Sequence, residues 1–185
     1  TTNQLILSRN SPYYYAYATG VKTGHTSQAG YCLVASAEKR GSGLISVMLG
    51  CERPTGAAQP LTYSETKELL EWAYENYESR TLIEQGTEIQ QVPIRLSTEA
   101  DKLMLVAGSD LTATVLKDLT LDDFEQSVTV QEDLIAPVAK GDKLGTLTLS
   151  RDGVTYGSID LVALNDVSMS EVLYYAYLLE NFFST

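Results

Sequence analysis

Cysteine is scarce in this sequence: Cys32 and Cys51 are the only two among 185 residues. Two thiols cannot supply the disulfide framework that holds small secreted domains together. No His or Cys sits at metal-ligand spacing beside either one, which excludes a zinc-stapled module. Histidine occurs once, at His25. Basic residues are outnumbered, 13 Lys and Arg against 24 Asp and Glu, for a formal net charge of -11. A phosphate backbone is bound through clustered Lys and Arg, so nucleic acid is not a partner of this chain. Long apolar runs are missing too. None reaches the roughly 18 residues needed to cross a bilayer, and the first residues lack the charged and apolar regions of a signal peptide. The chain as given reads as soluble, and its opening at Thr1 without a methionine reads as a mature or excised piece.

What is present is a sequence of 44% hydrophobic residues, enough for one sizeable core or two small ones. Residues 17–26 hold Gly20 and Gly24 among β-branched Val21 and Thr23, the pattern of a strand whose backbone can be approached closely. Residues 31–37 and 44–51 are nearly continuous apolar runs, which predicts a hairpin covered on both faces. With the turn at Gly41 and Ser42, Cys32 falls opposite Cys51, leaving two readings open: a cross-strand disulfide or two buried free thiols. Thr62 and Glu65 fit a capping box ahead of an apolar stripe at Leu69, Leu70, Ala73 and Tyr77, so a helix is expected to run to about Ser79. One long helix cannot cover two sheet faces, so this first domain is expected to be incomplete.

From Thr81 the texture changes to short alternating segments at 88–94, 102–106, 111–116, 127–130, 144–150 and 154–163, with Asp152-Gly153 as a two-residue hairpin turn. Residues 170–183 put Val172, Leu173, Tyr177, Leu178, Leu179, Phe182 and Phe183 on one broad helical face. The expected organisation is therefore 1–80, a β-rich domain over 81–168, and an apolar amphipathic helix over 169–185. The paired carboxylates Asp122–Asp123 and Glu132–Asp133 lack the spacing of a calcium loop or an acid-base pair and read as solvated loop charge. Lys140-Gly141-Asp142 resembles the turn of lipoyl and biotin carriers but reads only as a turn.

The best local motif is Lys22-Thr23-Gly24, at a strand just before a buried hairpin. An ammonium and a hydroxyl on an edge strand suit a substrate carboxylate, and glycine leaves the backbone open to approach. Its context is Tyr17-Ala-Thr-Gly-Val-Lys-Thr-Gly-His-Thr26, then Ala29-Gly-Tyr-Cys-Leu-Val-Ala-Ser36, then Leu44-Ile-Ser-Val-Met-Leu-Gly50. Ser64-Glu-Thr-Lys-Glu-Leu-Leu-Glu-Trp72 and Ala136-Pro-Val-Ala-Lys-Gly-Asp-Lys-Leu-Gly145 follow. In that order these segments resemble the D-alanyl-D-alanine carboxypeptidases, the low-molecular-mass penicillin-binding proteins, over nearly the whole chain.

The resemblance implies an α+β chain: the C-terminal part of a β-lactamase/transpeptidase-like catalytic domain, then a small sandwich-like all-β domain and the C-terminal helix. It implies a serine-type peptidase that trims terminal D-alanine from peptidoglycan stem peptides through an acyl-enzyme, without metal or organic cofactor. Lys22, Thr23 and Gly24 would be catalytic and, with His25 and Thr26, would line the substrate; β-lactams would bind the parent protein. The family also uses a serine and lysine one helical turn apart and a Ser-x-Asn element, both upstream of the Lys-Thr-Gly strand. Three formal matches occur, Ser8-Arg-Asn10, Ser36-Ala-Glu-Lys39 and Ser64-Glu-Thr-Lys67. The first lies too close to Lys22 and the second within a strand, while Ser64 is expected to act as a cap. No nucleophile is expected in this chain, which alone should be inactive.

His25 has no identifiable nucleophile and acidic orienter for general-base work, so strand-edge packing is its expected role. The family further implies an extracytoplasmic place in the bacterial cell envelope, with residues 173–183 against a membrane surface or protein, and an uncovered sheet open to self-association. The competing reading from another class is a non-catalytic, β-rich cell-envelope module that positions partners.

Overall fold

The computed structural model describes residues 2–7, 9–180 and Phe182 in full, and the backbone of Asn181 and Phe183. The chain divides into two compact units, Thr1–Glu78 and Ser79–Thr185.

The first unit opens with a one-turn helix, α1 (Gln4–Leu7), followed by strands β1 (Ala18–Thr26), β2 (Gly30–Lys39) and β3 (Ser42–Cys51) and helix α2 (Thr62–Asn76). The strands form an antiparallel meander in the order β1-β2-β3. Residues directly opposite in such a ladder share a face. Thr23, Leu33 and Met48 therefore lie on one side, while Lys22, Val34 and Val47 lie on the other. The first side carries the core, where Leu33, Ala35 and Ala37 of β2 pack with Leu5, Tyr15, Tyr63 and Leu70.

The opposite side of the sheet is open. Ile45, Val47 and Leu49 are 77%, 56% and 72% exposed, so among the described residues nothing covers that face. Apolar residues at both parities of β3 mimic a doubly buried strand in sequence, and only the fold shows which parity is covered. The hairpin turns one residue earlier than expected, at Arg40-Gly41, both at positive φ, with Lys39 opposite Ser42. A register shift between Tyr31 and Leu33 then sets Cys51 opposite Tyr31, not opposite Cys32, and both cysteines are free thiols. The disulfide reading fails on register.

Helix α2 also starts differently. Its N-cap is Leu61, without a side-chain cap hydrogen bond, and Thr62 is buried rather than capping. The helix stops at Asn76, short of Ser79, because Tyr77 turns extended and begins the next strand. Leu70 faces the core, while Leu69 of the expected stripe is exposed.

In the second unit, β4 (Tyr77–Ile83), which runs across the division, pairs with β7 (Leu111–Leu116). A five-stranded sheet has the order β5-β6-β10-β9-β8, from β5 (Glu88–Pro93), β6 (Lys102–Ala107), β8 (Glu125–Val130), β9 (Lys143–Arg151) and β10 (Val154–Ala163). Alternating inward residues of both sheets meet in one core that includes Val115, Leu105, Leu147, Leu149 and Leu161. The Asp152-Gly153 turn joins β9 to β10 with both residues at positive φ. Gly145 is required where β9 meets β8, since a Cβ there would lie 2.6 Å from the Thr129 carbonyl oxygen. Strand β4 and a 3-10 turn at Leu121–Asp123 escape the sequence reading. In that turn Asp123 accepts from the backbone N–H and hydroxyl of Thr120, completing a capping box. Asp123 is thus a structural acceptor, not the free loop charge expected for the pair.

Helix α3 (Glu171–Phe183) closes the chain, with Val172, Leu173, Tyr175, Leu178, Leu179 and Phe182 exposed. No helix among the described residues is long and apolar enough to cross a membrane.

Candidate functional site

Strand β1 is an edge strand, hydrogen-bonded to β2 and to no other strand among the described residues. Its outer row of backbone groups is open, the arrangement onto which an extended peptide adds as a further strand. Lys22, Thr23 and Gly24 stand in the middle of that row, opposite Val34, Leu33 and Cys32.

Successive strand residues point to opposite faces, so Lys22 belongs to the open face and Thr23 to the covered one. The two meet at the strand's edge. Lys22 Nζ folds over to donate to the Thr23 carbonyl oxygen at 2.7 Å, and the Thr23 hydroxyl shares a 2.6 Å hydrogen bond with that of Thr2. Thr2 was not anticipated, because a contact across 21 residues of chain leaves no local pattern. At Gly24 a Cβ would come 3.9 Å from the Cys32 Cβ, an ordinary contact. Space inside this chain therefore does not require glycine there, and any need for it comes from outside the strand.

His25 stacks on Tyr31, with ring centroids 4.1 Å apart and planes inclined by 32°. Thr26 Oγ1 accepts from the Ala29 backbone N–H at 2.9 Å, fixing the turn into β2. Lys22, Thr23 and Gly24 thus share the edge, while the His25 ring and Thr26 hydroxyl are engaged within the hairpin. Beyond the hairpin, burial pushes the Cys51 thiol above its ordinary value, with a smaller push from the charge of Glu65.

The serine and lysine pairs are also placed. Ser8 lies outside the described residues. Ser36 and Lys39 stand three apart on β2 and diverge: Ser36 Oγ bonds Thr19 Oγ1 at 2.7 Å, and Lys39 pairs with Glu71. Ser64 and Lys67 lie one turn apart in α2, where Ser64 Oγ donates to the Leu61 carbonyl at 3.1 Å. That bond lies inside the first turn, so Ser64 is not the N-cap expected for it.

A second polar cluster was also missed. Lys39 Nζ sits 2.7 Å from Glu71 Oε2 and over the rings of Tyr17 and Tyr74, at 4.7 and 5.3 Å. The Lys39 hydrogen bond holds the Glu71 carboxyl below its usual range, while burial and then the Glu71 charge push the Tyr15 phenol far up. This network joins β2, α2 and the segment before β1.

Residues 77–169 match the family described as the penicillin-binding protein 5 C-terminal domain, and residues 1–53 match that described as D-alanyl-D-alanine carboxypeptidase. The chain belongs to the D-alanyl-D-alanine carboxypeptidases of the penicillin-binding protein 5 kind. It is 35% identical to the D-alanyl-D-alanine carboxypeptidase DacA of Haemophilus influenzae, over 80% of this chain and 36% of that protein. It is 28% identical to DacF of Bacillus subtilis, over 90% of this chain and 40% of that protein. The solved structure of DacD from Francisella tularensis superposes with a TM-score of 0.58 at 30% identity, over 91% of this chain and 39% of that one. The chain thus spans well under half the length of these carboxypeptidases. Its fold as described is β-rich with a few helices, in keeping with those neighbours.

Proposed function

We propose that this chain is the C-terminal part of a serine-type D-alanyl-D-alanine carboxypeptidase and supplies its substrate-carboxylate strand. The observation that carries the reading is Lys22-Thr23-Gly24 at the middle of an open edge strand, within a chain of this family. An extended stem peptide would add to β1 as a fourth strand. At that edge the Lys22 ammonium, together with the Thr23 hydroxyl, would bind the terminal carboxylate by charge-assisted hydrogen bonds. Gly24 would leave clearance for the peptide, and the backbone at His25 and Thr26 would continue the substrate-facing edge.

Chemistry requires a nucleophile, a base and oxyanion donors. The pair Ser36 and Lys39 diverges, and Ser64 donates within its own helix turn, so neither supplies the first two. On this reading the nucleophile would lie outside this chain, which spans well under half the length of its relatives. There the serine would be acylated by the D-alanyl-D-alanine peptide of peptidoglycan, terminal D-alanine would leave, and water would release the shortened peptide. A β-lactam would enter the same reaction and stay attached. The protein would work in the cell envelope, and the exposed apolar residues of α3 would suit contact with a membrane surface there.

Labelling with a fluorescent penicillin tests the reading on this chain and on the parent extended upstream to its native start. The parent is expected to label and this chain is not; Lys22→Ala in the parent is expected to slow labelling by about tenfold or more. Labelling of the chain alone would make Ser64 the nucleophile, and labelling of neither would favour a non-catalytic envelope module.

A further inference from the structure

In the first unit, the segment before β1 and the face of α2 enclose a cleft of about 330 Å³, lined by Pro12, Tyr13, Tyr63, Ser64, Lys67, Glu68 and Glu71. We propose that this cleft binds one ring of an N-acetylated amino sugar, the neutral glycan unit that carries peptidoglycan stem peptides. The inference rests on peptidoglycan being the substrate, and it assigns the glycan a site apart from the peptide edge.

The walls decide the ligand class. Tyr13 and Tyr63 stand 5.8 Å apart, inclined by 48°. Tyr63 is fixed, buried and donating its hydroxyl to the Thr2 carbonyl, while half-buried Tyr13, with Pro12, presents apolar surface to the cleft. A pyranose offers a matching face of aliphatic C–H groups, and an acetamido methyl extends it. The volume falls within the roughly 300–1,000 Å³ of small-molecule sites, which combine such walls with a few placed polar groups.

The rim supplies those groups. Ser64 gives its proton to the Leu61 carbonyl, which leaves its oxygen as an acceptor. Lys67 donates, and Glu68 and Glu71 accept. Lys39 neutralises Glu71 from behind at 2.7 Å, so Lys67 and Glu68 leave the cleft close to neutral. Such a rim offers no surplus positive charge to a phosphate or free carboxylate and suits a ligand of alternating hydroxyl donors and acceptors.

The probe is triacetylchitotriose, titrated into this chain and followed through its backbone amide NMR signals. Saturable shifts at millimolar sugar, confined to residues 12–13 and 63–71, are expected, with maltotriose, which lacks the acetamido group, binding more weakly. Tyr13→Ala should weaken binding about tenfold, and Glu68→Ala, on an exposed side chain that leaves folding intact, several-fold. No saturable shifts, or affinity unchanged in Glu68→Ala, would overturn the site. Penicillin labelling of the parent separates the two ideas: a parent that labels while the sugar fails to bind defeats this inference alone.

Discussion

The second unit buries the inward residues of both its sheets, whereas the first leaves one face of its sheet in water. In the second, Leu105, Leu147, Leu149 and Leu161 are fully buried from facing strands. In the first, α2 and α1 cover one side of three strands, and Ile45, Val47 and Leu49 project from the other. A sheet whose opposite parities are both apolar is built for cover on both sides. The contrast therefore separates a unit whose two sheets share one core from a unit whose sheet leaves an apolar face open.

Matched leucine truncations probe the contrast most strongly. Leu161→Ala removes a fully buried side chain and should cost about 2–5 kcal/mol. Leu49→Ala, at a 72% exposed position, should stay within about 0.5 kcal/mol. Urea denaturation of both variants checks the difference, and similar costs would mean that the open face is covered in solution. In a chain extended upstream, a cost of Leu49→Ala several times larger would show a further layer over that face.

A smaller effect separates the connections within the second unit. Thr120 caps the 3-10 turn at Leu121–Asp123 by accepting the Asp123 backbone N–H, and Asp123 answers from its side chain. Thr120→Ala should cost about 1 kcal/mol, the usual worth of an N-cap. A cost near zero in urea denaturation would show that the turn is held by β8 alone.

Much of the β architecture was legible because it is local. Alternation gave β5 through β10, and Asp152-Gly153 announced its hairpin, since both signals sit within a few residues. The Lys22-Thr23-Gly24 strand was readable for the same reason. What escaped depends on distant residues. Strand β4 follows α2 without a break and pairs with β7, some thirty positions on, so Tyr77 looked like the end of a helical stripe. The position of Cys51 turned on a bulge in the β2–β3 ladder, which the hydrophobic pattern does not encode. Thr62 had the right type for a cap but was taken into the core, because tertiary burial outweighed a local hydrogen bond. The Lys39–Glu71 pair spans 32 positions and carries no motif at all.

That pair yields the subtlest prediction, and it belongs to the first unit alone. Hydrogen bonding to Lys39 lowers the Glu71 pKa in the folded state, so Glu71 adds stability above the ordinary carboxylate range. The contribution is lost as pH falls through the lowered folded value, and Tyr15, far above its usual value, stays protonated throughout. Lys67, the other cation acting on Glu71, pushes in the same direction. The sole tryptophan, Trp72, lies on α2 against Tyr77 and reports on this unit by fluorescence. Acidification from neutral pH should lower the urea midpoint seen by Trp72, and Glu71→Gln should flatten that slope while lowering the neutral-pH midpoint. Parallel slopes in the two proteins would mean that the ion pair is an exposed contact of no net worth, as many surface pairs are.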